Sequence, residues 1–242
     1  MREKSSPVST GLTLTPPPHD VGATASEASL VRAIAESVAR DVIEGRLLPG
    51  AEVSSVELAR RFQSSRTPVR EALVLLANQG LIAIEPRRSP RVAEVRLADV
   101  RDLYELRAAL YGMASELIVE RASEEQLAAL WACHHTLQDA HAAGDVDRYF
   151  WTNVRFRDLE LEIGGNAQLK KTMDGLRLRT HQLRHFSLSL GGRLDRSLIG
   201  HEMLLRSYDA RDARLAVAVN RWIVLSALRA IESAWETFSP AR

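Results

Sequence analysis

Residues 64–82 read SSRTPVREALVLLANQGLI, and this stretch decides the fold. Pro68 falls in the first turn of a helix, where its missing N–H costs nothing. Val69, Leu73, Leu76 and Ala77 then return to one face every three or four residues until Gly80 ends the run. Arg66 and Arg70 stand four residues apart on a different face. Ser65 and Thr67 sit at the helix start, where hydroxyls cap backbone amides or donate to phosphate, and where the helix end attracts an anion. An arginine fork on such an exposed face fits guanine O6 and N7 in the major groove. A plainer reading stays open beside it, in which Arg66 and Arg70 are solvated charges next to Glu71.

Upstream, Leu30, Ile34, Val38 and Val42 recur every four residues as one helical face, closed by Gly45 and then Pro49-Gly50. Ser54 with Glu57 three residues on has capping-box spacing and opens a short helix through Val56, Leu58, Ala59 and Phe62. Downstream, residues 81–84 and 91–95 read as two β segments around the turn-forming run Pro86-Arg87-Arg88-Ser89-Pro90. Three helices followed by a hairpin predict a winged helix-turn-helix over residues 29–96. Arg87, Arg88 and Arg91 on the hairpin suit phosphates or the minor groove, although a charged turn serves solubility equally well. Residues 1–28, with Pro7, Pro16-Pro17-Pro18 and few large apolar side chains, are expected to form a disordered arm.

Beyond Leu97 strand signals vanish. Helical periodicity covers 99–120, 123–143, 145–162, 166–189, 196–208 and 211–238, with breaks such as Gly164-Gly165 and Gly191-Gly192. The expected architecture is mainly α: the winged helix-turn-helix, then an antiparallel bundle of about six helices over residues 97–242. The 242 residues suffice for two modest domains. A net charge of +1 excludes a globally basic nucleic-acid coat, but residues 29–96 carry eleven arginines against eight carboxylates. Cys133, the single cysteine, supplies neither a disulfide nor a thiolate cluster. No apolar run is long enough to span a membrane, and the N-terminus lacks a signal-peptide core, so a cytoplasmic protein is expected. His201-Glu202 begins a metalloprotease-like HExxH, but Leu205 takes the second histidine's place. No Ser–Lys, Cys–His or paired-carboxylate spacing replaces it, so no enzyme is expected.

The stretch IEGRLLPGAEVSSVELARRFQSSRTPVREALVLLANQGLIAIEPRRSPRVAEV, residues 43–95, resembles the DNA-binding domain of the GntR family of bacterial transcription regulators. The likeness spans about residues 29–96. It implies operator contacts from Ser65, Arg66, Thr67 and Arg70, made by a two-fold dimer on palindromic double-stranded DNA. Two positions depart: Val56 stands where some members carry a base-contacting arginine, and Ser89 replaces the glycine usual at the wing tip.

Residues 98–238 resemble the FCD effector domain of the FadR branch, through DLYELRAALY (102–111), GGNAQL (164–169) and HEMLLRSYDARDARLAVAVNRWI (201–223). Many such domains hold a divalent metal with an aspartate and a histidine four residues apart plus two further histidines. The matching positions here are Asn153, Arg157, His201 and Ile223, so one ligand of four is kept and no metal or other cofactor is expected. His134, His135, His181 and His185 are isolated on their helices. Arg107 matches the arginine that members commonly aim at an effector carboxylate, and Arg157 adds a second guanidinium in place of the missing cation. The implied effector pocket contains Arg107, Asn153, Arg157 and His201, with Arg179 and His181 as further lining, and takes a small carboxylate. The alternative is that Arg107 and Arg157 pair with Asp102, Glu105 or Asp158 on their own helices. The function implied is a homodimeric, metabolite-responsive repressor. A DNA-binding dimer with a decayed effector domain and a helical-bundle enzyme are the alternatives.

Overall fold

The computed structural model describes residues 25–239. Residues 1–24 of the expected arm lie outside the described residues, whereas residues 25–28 are already helical: α1 runs Ala25–Ile43. Helices α2 (Ser55–Arg61) and α3 (Arg66–Asn78) follow, then strands β1 (Ile82–Ala83) and β2 (Arg91–Val92). Ile34, Val38 and Val42 of α1 meet Val69, Leu73 and Leu76 of α3 in a fully buried seam, the two faces that the apolar spacing sets up. The Ser54 hydroxyl accepts the Glu57 N–H at 3.2 Å and starts α2.

The wing strands are shorter than their apolar runs. They pair antiparallel through Ile82 with Val92 and Ala83 with Arg91, and Glu52 bridges Arg91 on the other side. Residues 50–53 thus supply a third, sequence-distant partner, with Val53 N bonding Pro90 O at 2.8 Å and Val92 N bonding Ala51 O at 2.9 Å. Pro86 and Pro90 have no N–H to extend the ladder. Arg87, at φ 62°, turns the tip through the left-handed region.

The bundle comprises α4 (Leu97–Arg121), α5 (Glu124–Ala142), α6 (Val146–Gly164), α7 (Ala167–Gly175), α8 (Arg177–Ser189), α9 (Arg193–Asp209), α10 (Ala213–Ser233) and the short α11 (Trp235–Phe238). Ser123 and Gln126 form a full capping box, and Asp145, Asn166 and Asp212 each cap the helix that follows them. Two expectations are corrected here. The single helix expected over 166–189 is broken at Gly175 and Leu176, where a poor helix former and a residue at φ −93°, ψ −2° interrupt the run. The helix expected over 211–238 begins after Arg211, itself at φ 54°, and is interrupted again at Ala234.

Helix α4 packs on α10 and α6, α5 packs on α6 and α9, and α8 lies against α6, α10 and α1. One apolar cluster runs from Ile34 and Leu73 of the N-terminal unit to Phe150, Phe156 and Tyr208 of the bundle, so the two units share a core. Polar ties reinforce that junction. Trp151 Nε1 of α6 donates to Glu44 Oε1 at 2.9 Å, and the Arg40 guanidinium stacks 5.1 Å above the Trp151 ring. Among the described residues, no helix is long and apolar enough to cross a membrane.

Candidate functional site

The outer face of α3 is polar and uncommitted. Ser65, Arg66, Thr67 and Arg70 are all exposed, while Val69, Ala72 and Leu73 turn inward. Gln63, at φ 49°, ends the link from α2, and Ser65 takes the N-cap position without spending its hydroxyl on a capping bond. Neither Arg66 nor Arg70 bonds Glu71 or any other described residue. The wing differs. Arg87 is exposed at the tip, but Arg88 pairs with Glu85 at 2.7 Å. Arg91 donates to Gly50 O at 3.0 Å and lies 3.8 Å from a Glu52 carboxylate oxygen, so it also ties the wing to residues 50–52. Val56, 56% exposed on α2, presents a short apolar side chain on that surface.

Between α4, α6, α8, α9 and α10 the bundle leaves an arginine-lined cavity, partly open to solvent, of about 380 Å³ with its mouth included. Helical spacing builds its walls: Tyr104 and Arg107 on α4, Asn153 and Arg157 on α6, Arg184, Ser187 and Leu188 on α8, and Arg193, Ser197 and His201 in one stripe of α9. A second, partly open chamber of about 310 Å³ with its mouth included shares Arg107, Arg157 and Arg184 and extends towards Arg177, Thr180 and His181.

Arg157 is the corner of a buried network. It donates to Glu160 Oε2 at 2.8 Å and to Asn220 Oδ1 at 2.6 Å, and its guanidinium stacks on Tyr111 at 4.6 Å. The other oxygen of Glu160 accepts from Tyr208 and from Asn220, each at 2.8 Å. Burial pulls the Arg157 pKa down, but the Glu160 carboxylate beside it prevails and raises it. Burial, then Glu160, holds the Tyr208 phenol well above its usual range. Arg157 is therefore already neutralised, which corrects the expectation of a free cation standing in for a metal. Its partner is Glu160 rather than Asp158, whose carboxylate binds Arg177 instead.

Arg107 is buried, with 3% of its surface exposed, and its Nε has no partner. Its guanidinium lies 4.6 Å from the Tyr104 ring and 5.8 Å from Tyr111, and it pairs with neither Asp102 nor Glu105. Arg184 is 9% exposed, its side chain makes no hydrogen bond or ion pair with a described residue, and burial pushes its pKa down to about 10. Arg193 reaches only the Ser187 and Ser226 hydroxyls, at 3.3 and 3.2 Å, and burial lowers its pKa as well.

The metal-site positions do not suit a metal. His201 Nδ1 lies 2.7 Å from Ser197 O and so carries the proton, leaving Nε2 to accept the Asn153 amide at 3.1 Å. Burial, then the nearby Arg157, keeps His201 neutral by holding its pKa well below the usual value. The one nitrogen with a lone pair is thus capped by an amide, a guanidinium stands at the second position, and Ile223 offers no donor. Among the described residues, no group of three or more histidine, cysteine, aspartate or glutamate side chains is placed to hold a metal ion.

The model of the "Bacterial regulatory proteins, gntR family" matches residues 30–92, and the FCD domain model matches residues 102–224. The chain belongs to the GntR family, with an FCD domain. The HTH-type transcriptional repressor RspR of Escherichia coli is 28% identical over 169 residues, covering 70% of this chain and 71% of that protein. The uncharacterized HTH-type transcriptional regulator YdhC of Bacillus subtilis is 25% identical over 176 residues, covering 72% and 79%. The structure of Escherichia coli McbR/YncC has the same fold, at a TM-score of 0.74 and 24% identity, over 85% of this chain and 98% of that one. This GntR regulator is therefore a DNA-binding transcription regulator rather than an enzyme.

Within the GntR chain, Arg107, Asn153, Arg157 and His201 line one cavity, and His181 lines the second chamber. Arg179 is the exception and is corrected. It lies exposed on α8, outside both chambers, with its guanidinium where a Gly80 Cβ would stand at the end of α3. The sequence reading passed over Arg184, Arg193 and Glu160. The four-residue steps Arg193, Ser197, His201 and the three-residue step from Arg157 to Glu160 are the signals that point to two of them.

Proposed function

We propose that this GntR regulator is a cytoplasmic homodimeric repressor that binds a palindromic operator and releases it when a small anionic metabolite enters the bundle cavity. The observation that carries the reading is the pairing of two uncommitted basic sites in one chain: exposed Arg66 and Arg70 on α3, and buried, carboxylate-free Arg107 in the cavity. Arg66 and Arg70 read bases, with Ser65 and Thr67 on phosphate; Arg87, Arg88 and Arg91 support the wing against the backbone or minor groove. Repression accords with the name of the relative RspR. Dimerisation uses α4 and its neighbour α10, which leave Leu106, Met113, Leu215 and Trp222 exposed. Two recognition helices then lie about one DNA turn apart.

The test selects binding sites for the full chain from a random duplex library and repeats the selection with Arg70→Ala. Wild type is expected to enrich an inverted repeat, and Arg70→Ala to lose about 1–3 kcal/mol of discrimination at one base pair per half-site. An Arg70→Ala protein with undiminished sequence preference overturns the recognition-helix assignment. Sedimentation of the full chain is expected to give a dimer, and Met113→Glu a monomer.

A further inference from the structure

The cavity contains more positive charge than one carboxylate can balance. Of the four arginines lining the larger chamber, only Arg157 has a carboxylate partner, Glu160. Arg107, Arg184 and Arg193 are each less than a tenth exposed, and none pairs with a carboxylate of a described residue. The acidic groups of the adjoining chamber are bonded elsewhere: Asp158 and Asp174 are held by Arg177, and Asp174 also by Lys170, so Asp158 attracts Arg184 only through space and without an ion pair. Guanidinium groups do not escape by deprotonating, so Arg184, even with its pKa near 10, stays charged at neutral pH. Unpaired buried charge is costly, and it persists where a ligand of opposite charge completes the site.

We propose that the effector of this cavity is a small organic polyanion with two or more negative charges. Arg107 and Arg184 grip one anionic group, Arg193 a second, and the Ser197 hydroxyl and Asn153 amide meet its neutral oxygens. The proposal rests on the anionic-effector reading above and deepens it. Arg107 and Arg184 stand on the wall shared by both chambers, whereas Arg193 belongs to the larger one alone. That arrangement separates two anionic ends instead of stacking three cations on one. A dicarboxylate and a phosphorylated acid satisfy the same chemistry.

The test is calorimetric titration of the full chain, at one fixed ionic strength, with butyrate, succinate, citrate, 3-phosphoglycerate and inorganic phosphate. Butyrate and succinate share a four-carbon chain and differ in one carboxylate. Succinate, citrate or 3-phosphoglycerate is expected to bind roughly 10–100-fold more tightly than butyrate, the gain of one further charge-assisted contact. Preference for succinate or citrate assigns a polycarboxylate, preference for 3-phosphoglycerate assigns a phosphorylated acid, and inorganic phosphate binding as tightly as the best organic anion overturns the two-ended site. Arg193→Gln is expected to bring the best polyanion to within about 3-fold of butyrate, both titrated on that variant, and a polyanion preference that survives the substitution overturns the second anionic contact. Butyrate binding as tightly as every polyanion overturns the proposal but leaves the anionic-effector reading standing. No binding by any of the five overturns both. Thermal melting of each ligand-free variant confirms its fold, and Arg184→Met is expected to melt no lower than wild type because it removes an uncompensated charge.

Discussion

Arg70 on α3 and Arg107 on α4 are both arginines without an ion pair, yet they stand in opposite electrostatic conditions. Arg70 waits in water, where hydration satisfies its guanidinium and the ligand-free state costs little. Arg107 waits in a buried cavity, stacked on Tyr104 and short of a partner at Nε. An anion reaching Arg70 displaces water and counterions, so its gain depends on salt. An anion reaching Arg107 relieves a strain already present in the fold, so its gain is also a gain in stability. The DNA surface and the effector cavity use the same side chain, and burial alone separates a site that is merely available from one that is destabilised until filled.

The sharpest way to break this comparison is to delete one carboxylate from each region. Glu160→Gln removes the only carboxylate bonded to Arg157 and disturbs the bonds from Tyr208 and Asn220, all inside the core. Loss of one partner of a buried pair costs about 3–5 kcal/mol. Glu71→Gln, on the exposed face of α3, is expected to change stability by less than about 0.5 kcal/mol. Urea denaturation of both variants measures the contrast, and equal effects would remove the distinction between the regions.

The next effect comes from pH. His181 and His201 are buried, and burial, followed by nearby arginines, holds both pKa values well below 6.5. In the unfolded chain they titrate near 6.5, so below that pH the unfolded state binds more protons and stability rises with pH. Acidification from about 6.5 towards the folded pKa values therefore removes stability, by at most about 1.4 kcal/mol per pH unit for each histidine. Urea midpoints at pH 7.5 and 5.5 are expected to fall with acidification, and His201→Gln to flatten that fall. A wild-type midpoint unchanged between the two pH values counts against neutral buried histidines.

What the sequence made legible follows from how local each cause is. The α1 and α3 faces and the wing turn are set by spacing and turn residues within short stretches, and these are written in the chain, whereas Arg107, Asn153 and His201 were legible only through the resemblance to FCD domains. Asp158 failed as a partner for Arg157 because neighbours one residue apart on a helix diverge by about 100°, whereas Glu160, three residues on, shares the face. Arg184 was not legible, because which side of α8 is buried depends on where α1, α6 and α10 pack, whereas Arg193 follows by four-residue steps once His201 is placed. Arg179 went astray for the same reason: the break at Gly175 and Leu176 sets where α8 lies, and the Gly80 end of α3 takes that arginine.

The DNA face gives a smaller and salt-dependent effect. Arg91→Ala is expected to weaken binding to every sequence alike by about 1 kcal/mol and to lower the salt slope by about one, provided Arg91 reaches phosphate. Arg91 also holds Gly50 O and Glu52, so loss of the wing tie gives a second signature: weaker binding with the salt slope unchanged. Titrations at two salt concentrations separate the two roles.

The smallest expected effect tests how the two regions communicate. Helix α6 carries Asn153 and Arg157 into the cavity and, two residues earlier, sends Trp151 to Glu44 of α1. Trp151→Phe keeps the ring under Arg40 and loses only the N–H bond, while Glu44 keeps Arg40 and Arg46 within 3.5 Å. Stability is therefore expected to fall by no more than about 1 kcal/mol. A ligand shifts an equilibrium only through its different affinities for two states, so the consequence to look for is in the coupling rather than in either binding event alone. Fluorescence anisotropy with a selected operator, with and without succinate, is expected to show unchanged affinity for ligand-free Trp151→Phe and a several-fold smaller effect of succinate. If the variant responds to succinate as wild type does, the signal bypasses the Trp151 bond, and the contact of Arg179 of α8 with Gly80 beyond the end of α3 becomes the next route to test.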